Sequence, residues 1–147
     1  MSASTATQRT KVVGAPTECV RVLVAEDDVQ LRTLIVRHLR GEGLDVDEAS
    51  NGDITLDLIT RSLCRDPPHP YDLLITDIRM PGYTTGLEVL AAIRALDWRM
   101  PVIVITGFGD EEAHEEAARL GAFALFDKPF DLDDLGTAVV NALPAPR

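Results

Sequence analysis

The chain has 147 residues, of which 46% are hydrophobic and 26% charged, the composition of a globular protein with room for one well-developed core. Its net charge of −10 opposes binding to phosphate backbones, so we do not expect it to hold nucleic acid by itself. No apolar run approaches the roughly 20 residues of a membrane-spanning helix. The N-terminus also lacks a secretory pattern, so we expect no membrane association and a cytoplasmic location.

Composition divides the chain into three parts. Residues 1–18 are rich in Ser, Thr and Ala and show no periodicity, which predicts a flexible leader. Across residues 19–143 apolar segments recur at regular intervals, which predicts one folded domain. Residues 144–147, Pro-Ala-Pro-Arg, are expected to form a short tail.

The first half of the domain alternates strands with helices. Residues 20–25 are β-branched and mostly apolar, which is typical of a buried parallel strand, and the helix after them ends at Gly41 and Gly43. Residues 44–49 predict the second strand. Asn51-Gly52 then turns the chain into a helix that a proline-rich segment, residues 66–70, terminates.

The second half repeats this alternation. Residues 71–77 predict the third strand, and Val102–Thr106 the fourth and most apolar one, with a helix between them. Asp110 begins a helix that ends at Gly121, residues 122–126 predict the fifth strand, and a last helix follows. Five strands alternating with five helices predict an α/β fold, a doubly wound parallel sheet with helices on both faces.

Polar residues stand where these strands end. The first strand ends in Glu26-Asp27-Asp28, the third in Asp77 and the fourth in Thr106, and the fifth runs into Lys128-Pro129. Ligands of doubly wound sheets bind beyond the carboxyl ends of the strands. We therefore expect carboxylates, a hydroxyl and an ammonium group to converge at one edge.

This set of groups is suited to a hard cation and a phosphoryl group. Clustered carboxylates repel one another unless a cation lies between them. Mg²⁺ prefers oxygen ligands, commonly protein carboxylates together with phosphate oxygens. Lys128 and Thr106 could bind phosphoryl oxygens, and a carboxylate nucleophile such as Asp77 would give an acyl phosphate. Each residue alone is explained as well by a helix cap, a turn or a surface charge. Their joint occurrence at four strand ends favours the site.

Four segments of the chain carry a family resemblance. They are Val22-Leu23-Val24-Ala25-Glu26-Asp27-Asp28, Leu74-Ile75-Thr76-Asp77-Ile78-Arg79-Met80-Pro81-Gly82, Val104-Ile105-Thr106-Gly107 and Phe126-Asp127-Lys128-Pro129-Phe130. In this order they closely resemble the receiver domains of response regulators in bacterial two-component systems. The resemblance runs from about residue 20 to residue 141.

The resemblance implies a flavodoxin-like (βα)5 fold with strand order 2-1-3-4-5. It also implies that Asp77 accepts a phosphoryl group from a histidine kinase or a phosphotransfer protein, which switches the affinity for a downstream protein. Mg²⁺, or Mn²⁺ in its place, would be held by Glu26, Asp27, Asp77 and the backbone carbonyl of Arg79. The phosphoryl group would be bound by Thr106, Gly107 and Lys128, and the Lys128–Pro129 peptide bond would be cis.

The chain departs from the family pattern near the site. Glu26 stands where Asp is commoner, and the loop at residues 82–86 is one residue longer than usual. Leu125 replaces the usual aromatic switch residue, and Phe126 beside it is expected to point to the opposite face of the sheet.

Two further departures concern the lifetime of the phosphorylated form. Arg79 and Phe108 occupy the positions that govern access of water to the acyl phosphate, and neither offers an acid or an amide to orient that water. We therefore expect slow self-dephosphorylation and no enzymatic activity beyond self-catalysed phosphotransfer.

Three other functions were weighed. A phosphatase of the haloacid-dehalogenase type needs a second Asp two residues after its nucleophile, where this chain has Arg79. In an FMN-binding flavodoxin the first strand would lead into a neutral phosphate loop, and Glu26-Asp27-Asp28 would repel that phosphate. A receiver-like docking module that works without phosphorylation stays open, because Leu125 puts the usual switch in doubt.

The expected partners are proteins. We expect a sensor kinase or phosphotransfer protein as donor, a downstream protein target, and a monomer or weak dimer. We expect a stand-alone regulator rather than a fragment of a larger one. Four glutamates on the fourth helix form an acidic face that would suit a basic partner, although such runs are usually solvated; they are Glu111, Glu112, Glu115 and Glu116.

Overall fold

The computed structural model describes residues 20–96, 98–107 and 110–143. The predicted leader, the predicted tail and Phe108 lie outside these residues. The strands are β1 Arg21–Ala25, β2 Asp45–Ala49, β3 Leu73–Asp77, β4 Val102–Thr106 and β5 Ala124–Asp127. The helices are α1 Val29–Gly41, α2 Gly52–Cys64, α3 Gly86–Ala95, α4 Glu111–Arg119 and α5 Leu132–Ala142.

The five strands form one parallel sheet in the order β2-β1-β3-β4-β5, which confirms the predicted flavodoxin-like fold. Chain order reverses between β1 and β3, because β2 lies outside β1 while β4 and β5 follow β3. Such a switch point opens a crevice at the carboxyl ends of the two strands. The sheet therefore has its natural ligand site where Glu26 and Asp77 stand.

The core has two layers, one on each face of the sheet. Alternate residues of β1, β3 and β4 point to opposite faces, and these three strands are fully buried. Helices α1 and α5 cover one face through Ile35, Leu39, Leu135 and Val139. Helices α2, α3 and α4 cover the other, and each fully buried Leu or Ile side chain contributes roughly 1.5–3 kcal/mol.

Each helix begins at a polar residue that caps its free N–H groups. The caps are Asp28, Asn51, Thr85, Asp110 and Asp131, and each side chain accepts a hydrogen bond from a backbone N–H of the first turn. Asp28 accepts from Gln30 at 2.9 Å and from Leu31 at 3.2 Å. Asp28 therefore serves as a helix cap. Glu26 and Asp27 are the acids that remain for the edge of the sheet.

The first two strands each begin one residue later than predicted, and the larger differences from the predicted bounds are at β3 and β5. Tyr71 and Asp72 precede β3, because the N–H of Asp72 bonds to the carbonyl of Arg21 before the ladder begins. Ala122 instead donates to Ala117 at the end of α4, so β5 starts at Ala124 and runs one residue further, to Asp127. Within the described ranges, no helix is long and apolar enough to span a membrane.

Candidate functional site

The sheet brings three carboxylates together at the switch point. Glu26 follows β1 and Asp77 ends the neighbouring strand β3, so the parallel ladder places both at the same edge. One oxygen each of Glu26, Asp27 and Asp77 lies within 4.8 Å of the others. Glu26 and Asp77 are buried, whereas Asp27 is exposed. This spacing is suited to a cation with oxygen ligands.

Lys128 directly follows the edge strand β5, and its side chain contacts both buried acids. Its Nζ lies 2.6 Å from Oδ2 of Asp77 and 2.9 Å from Oε1 of Glu26. Its backbone N–H donates to the carbonyl of Thr106 at 2.8 Å, and the Lys128–Pro129 peptide bond is cis. Burial alone would lower the pKa of Lys128, but the contacts with Asp77 and Glu26 outweigh burial and raise it. The ammonium group is therefore charged whenever the acids are.

Burial strongly perturbs Glu26. Its side chain is fully buried, and burial raises its pKa to about 7; the nearby charge of Asp77 acts in the same direction, against the contact with Lys128 and the hydrogen bond from the N–H of Asp28. Oε2 accepts from the Asp28 N–H at 3.1 Å. Oε1 faces Lys128, but the geometry of that contact is poor for a hydrogen bond, and no other described residue donates to it. A buried carboxylate oxygen with unused lone pairs, beside two other acids, fits Mg²⁺ as a ligand.

Asp77 is held at both of its oxygens. Oδ2 accepts from Lys128, and Oδ1 accepts from the backbone N–H of Arg79 at 3.1 Å. The peptide unit of Arg79 thus adjoins the carboxylate. Only 3% of Asp77 is exposed, so water competes little for these contacts. The arrangement keeps the carboxylate group fixed in one orientation.

Thr106 and Gly107 lie at the end of the adjacent strand. Thr106 is buried, and its hydroxyl contacts the carbonyl of Gly107 at 3.3 Å. Among the described residues other than its chain neighbours, no atom lies within 4 Å of the point where a side chain on Gly107 would begin. Gly107, the residue after β4, therefore borders space that is open as far as the described residues show, as a group that binds an incoming phosphoryl oxygen must.

Two side-chain pairs beside the site could not be predicted from the sequence. Nη2 of the exposed Arg79 guanidinium lies 2.5 Å from Oδ2 of Asp110, at the start of α4. This hydrogen bond is the main reason that the pKa of Asp110 is lowered. His114 on α4 lies 2.7 Å from Asp127, the residue before Lys128. In each pair the two residues belong to different loops or elements, so only the folded structure brings them together. Together the pairs attach the first turns of α4 to both flanks of the site.

Leu125 and Phe126 point to opposite faces of β5, as strand alternation predicted. Leu125 is partly buried against the face covered by α2, α3 and α4. Phe126 packs on the other face, 5.8 Å from the ring of Phe130 between centroids. Phe126 therefore does not take the place of the missing aromatic residue at position 125.

Comparison with known proteins identifies the family. Residues 22–140 match the family described as the response regulator receiver domain. Sporulation initiation phosphotransferase F of Bacillus subtilis is 32% identical over 124 residues, which is 84% of this chain and 94% of that protein. Regulatory protein AtoC of Escherichia coli is 35% identical over 123 residues, but this chain spans only 25% of its length.

Solved structures give the same result. A response regulator receiver domain protein from Clostridium thermocellum superposes with a TM-score of 0.74 at 31% identity, covering 84% of this chain and 93% of that one. The receiver domain of a LuxO repressor protein from Vibrio parahaemolyticus gives a TM-score of 0.73 at 27% identity, covering 85% and 90%. With its fold, its acidic edge and these matches, the chain belongs to the response regulator receiver domain family of two-component systems.

Proposed function

We propose that Asp77 is the phospho-acceptor of this domain and takes its phosphoryl group from a phosphohistidine, on a sensor histidine kinase or a phosphotransfer protein, in the cytoplasm. The observation that carries the proposal is the bridge of Lys128 between Asp77 and Glu26. It holds the acceptor carboxylate in a fixed orientation at an edge where two more carboxylates can bind a divalent cation.

In the proposed step, an oxygen of Asp77 forms a bond to phosphorus as the bond from phosphorus to the histidine nitrogen breaks. The nitrogen keeps the electron pair. Lys128 and Thr106, with the open backbone at Gly107, would bind the phosphoryl oxygens. Mg²⁺ or Mn²⁺ would be held by Glu26, Asp27, Asp77 and the Arg79 carbonyl. When bound, the cation would neutralise the negative charge of the carboxylates and of the phosphoryl oxygens.

The donor protein would dock on the surface beside Lys128. Leu34 on α1 is 50% exposed, and with Leu31, Pro129 and Phe130 it forms the apolar part of a shallow cavity that Lys128, Asp28 and Gln30 also line. A phosphohistidine must come within bonding distance of Asp77, so the protein that carries it must cover this rim. Apolar and aromatic contacts of this kind supply the centre of most transient interfaces.

The proposed acyl phosphate should hydrolyse slowly. Arg79 is drawn towards Asp110 and offers no carboxylate or amide to orient a water molecule. We expect Arg79→Asn to shorten the half-life of the phosphorylated protein on the order of tenfold. Timed loss of the phosphoryl group by intact-protein mass spectrometry measures this. Asp110→Asn breaks the same ion pair and keeps Arg79; equal acceleration in that variant would attribute the effect to the pair instead.

A constitutive docking module is the second candidate, and Leu125 is the observation that favours it. A leucine cannot make the ring rotation that couples the site to the surface in aromatic-bearing relatives. Under this alternative the phosphoryl group would not change the affinity for any downstream partner.

The test of the proposed function is intact-protein mass spectrometry after incubation with acetyl phosphate and Mg²⁺. We expect a gain of one phosphoryl group that EDTA prevents and that the Asp77→Asn variant does not show. Glu115→Gln, a substitution of an exposed acid on α4, should label normally. Absence of labelling in a protein whose Mg²⁺ binding is demonstrated would remove the phospho-acceptor role and leave the docking module.

A further inference from the structure

The loop from β3 to α3 is built onto the backbone of the acceptor. The N–H of Gly86 donates to the carbonyl of Ile78 at 2.9 Å, which closes the loop at its base. A side chain on Gly86 would begin 2.0 Å from the carbonyl oxygen of Asp77, so the two backbones are in direct contact. The position of this loop relative to Asp77 is therefore fixed.

The outer part of the same loop is held by α2. The hydroxyl of Thr84 donates to Oδ1 of Asp53 at 2.6 Å, and a side chain on Gly52 would begin 2.2 Å from the Thr84 carbonyl oxygen. Thr85 and Glu88 form a reciprocal capping box at the start of α3. Both flanks of the extra loop residue are thus anchored to helices.

Between these anchors stands Tyr83, which is 95% exposed, the largest value among the large hydrophobic side chains that the structure describes. Gly82, which precedes it, has a φ of 106°, a backbone conformation that residues with a side chain rarely adopt. The chain turns at this residue. A tyrosine offers a large, rigid contact surface with a polar tip, and such side chains are enriched among the residues that dominate binding energy. Because its loop is already ordered, docking on it would cost little conformational entropy.

We infer that Tyr83 is a specificity-determining contact for the protein phosphodonor, with an apolar pocket of the donor as its binding partner. This inference rests on the proposed function. The loop follows the strand that ends in Asp77, so it lies at the carboxyl edge of the sheet with the acceptor. A donor whose phosphohistidine reaches Asp77 must cover that edge, whereas a downstream protein can bind elsewhere.

The experiment compares protein and small-molecule donors on the full chain. The protein donors are purified sensor histidine kinases of the source organism, autophosphorylated with ATP, and the one that labels the unsubstituted protein fastest is used. We expect Tyr83→Ala to raise the KM for this kinase about tenfold, as the loss of one interface anchor does. The kcat and the labelling rate with acetyl phosphate should stay within about twofold, since neither depends on donor docking.

Two variants serve as controls. Tyr83→Phe keeps the ring and should behave like the unsubstituted protein. Phe123→Ala removes another exposed aromatic residue, 47% exposed, that precedes β5 and so lies at the opposite edge of the sheet.

Three outcomes would overturn the inference. If Tyr83→Ala and Phe123→Ala give the same KM with the kinase, Tyr83 is not a donor contact. If Tyr83→Ala slows labelling by acetyl phosphate as much as by the kinase, its role is to shape the acceptor loop. If neither donor labels Asp77 in the unsubstituted protein, the proposed function itself fails, and the inference fails with it.

Discussion

Raising the pH from 4.5 to 8.5 without Mg²⁺ is expected to lower the free energy of unfolding by about 3 kcal/mol through Glu26 alone. Its pKa is about 7 in the folded chain against 4.5 as the ordinary value, mainly because the side chain is buried. The folded protein thus holds this proton more tightly than the unfolded chain. The stabilisation is complete below pH 4.5 and is lost as the pH rises through 7.

Urea unfolding across this pH range measures the effect. Glu26→Gln should abolish that part of the pH dependence, whereas the exposed Glu115→Gln should keep it. Added Mg²⁺ should recover much of the stability lost at high pH in the unsubstituted protein but not in Glu26→Gln, because a cation stabilises the ionised carboxylate. Identical pH profiles for the unsubstituted protein and Glu26→Gln would contradict the assignment of this proton to Glu26.

Substitution of Gly86 by alanine is expected to destabilise the domain by about 3 kcal/mol and to disturb the acceptor. The added methyl group would lie 2.0 Å from the carbonyl oxygen of Asp77 and 3.0 Å from the Cα of Ile78. Neither is a flexible side chain that could turn aside, so the backbone around Asp77 must move. Labelling by acetyl phosphate should therefore fall in any Gly86→Ala protein that remains folded.

Gly41 provides the matched control for this substitution. It ends α1, and among the residues that the structure describes, apart from its chain neighbours and the backbone of its own helix, nothing lies within 4 Å of the point where its side chain would begin. Gly41→Ala should be neutral or stabilising by up to about 1 kcal/mol, because alanine restricts the unfolded chain and favours the helix. Urea unfolding and acetyl phosphate labelling of the two variants give the comparison. Equal stability and equal labelling would show that the contact at Gly86 is not tight.

The sequence predicts the framework well because burial controls it. Val102–Thr106 has the predicted bounds of β4, since four consecutive buried apolar residues followed by a buried threonine leave no other placement. The ends of β3 and β5 were less predictable. Tyr71 donates its hydroxyl to Asp47, which is distant in the chain, and the N–H of Ala122 bonds to Ala117 at the end of α4 instead of joining the sheet. Strand limits of this kind depend on the assembled fold.

The candidate site likewise has a part that the sequence predicts and a part that it does not. Its acids and its lysine are placed by strand ends, so their convergence follows from the order of the sheet. The ion pair between Arg79 and Asp110 depends on loop conformations, as does the hydrogen bond from Thr84 to Asp53. Opposite charges and hydroxyl groups are too common in a sequence for such a pairing to be selected in advance.

The lysine bridge also bears on how a phosphorylated form could be recognised. With its three acids ionised and Lys128 protonated, the cluster carries two uncompensated negative charges, which one divalent cation cancels. Conversion of Asp77 to an acyl phosphate then changes the local charge by about one unit, in a chain whose net charge is −10. Mobile ions screen so small a difference beyond about 8 Å at physiological ionic strength. A partner at a distance would sense almost the same electric field from either form, so discrimination requires a protein that touches this domain.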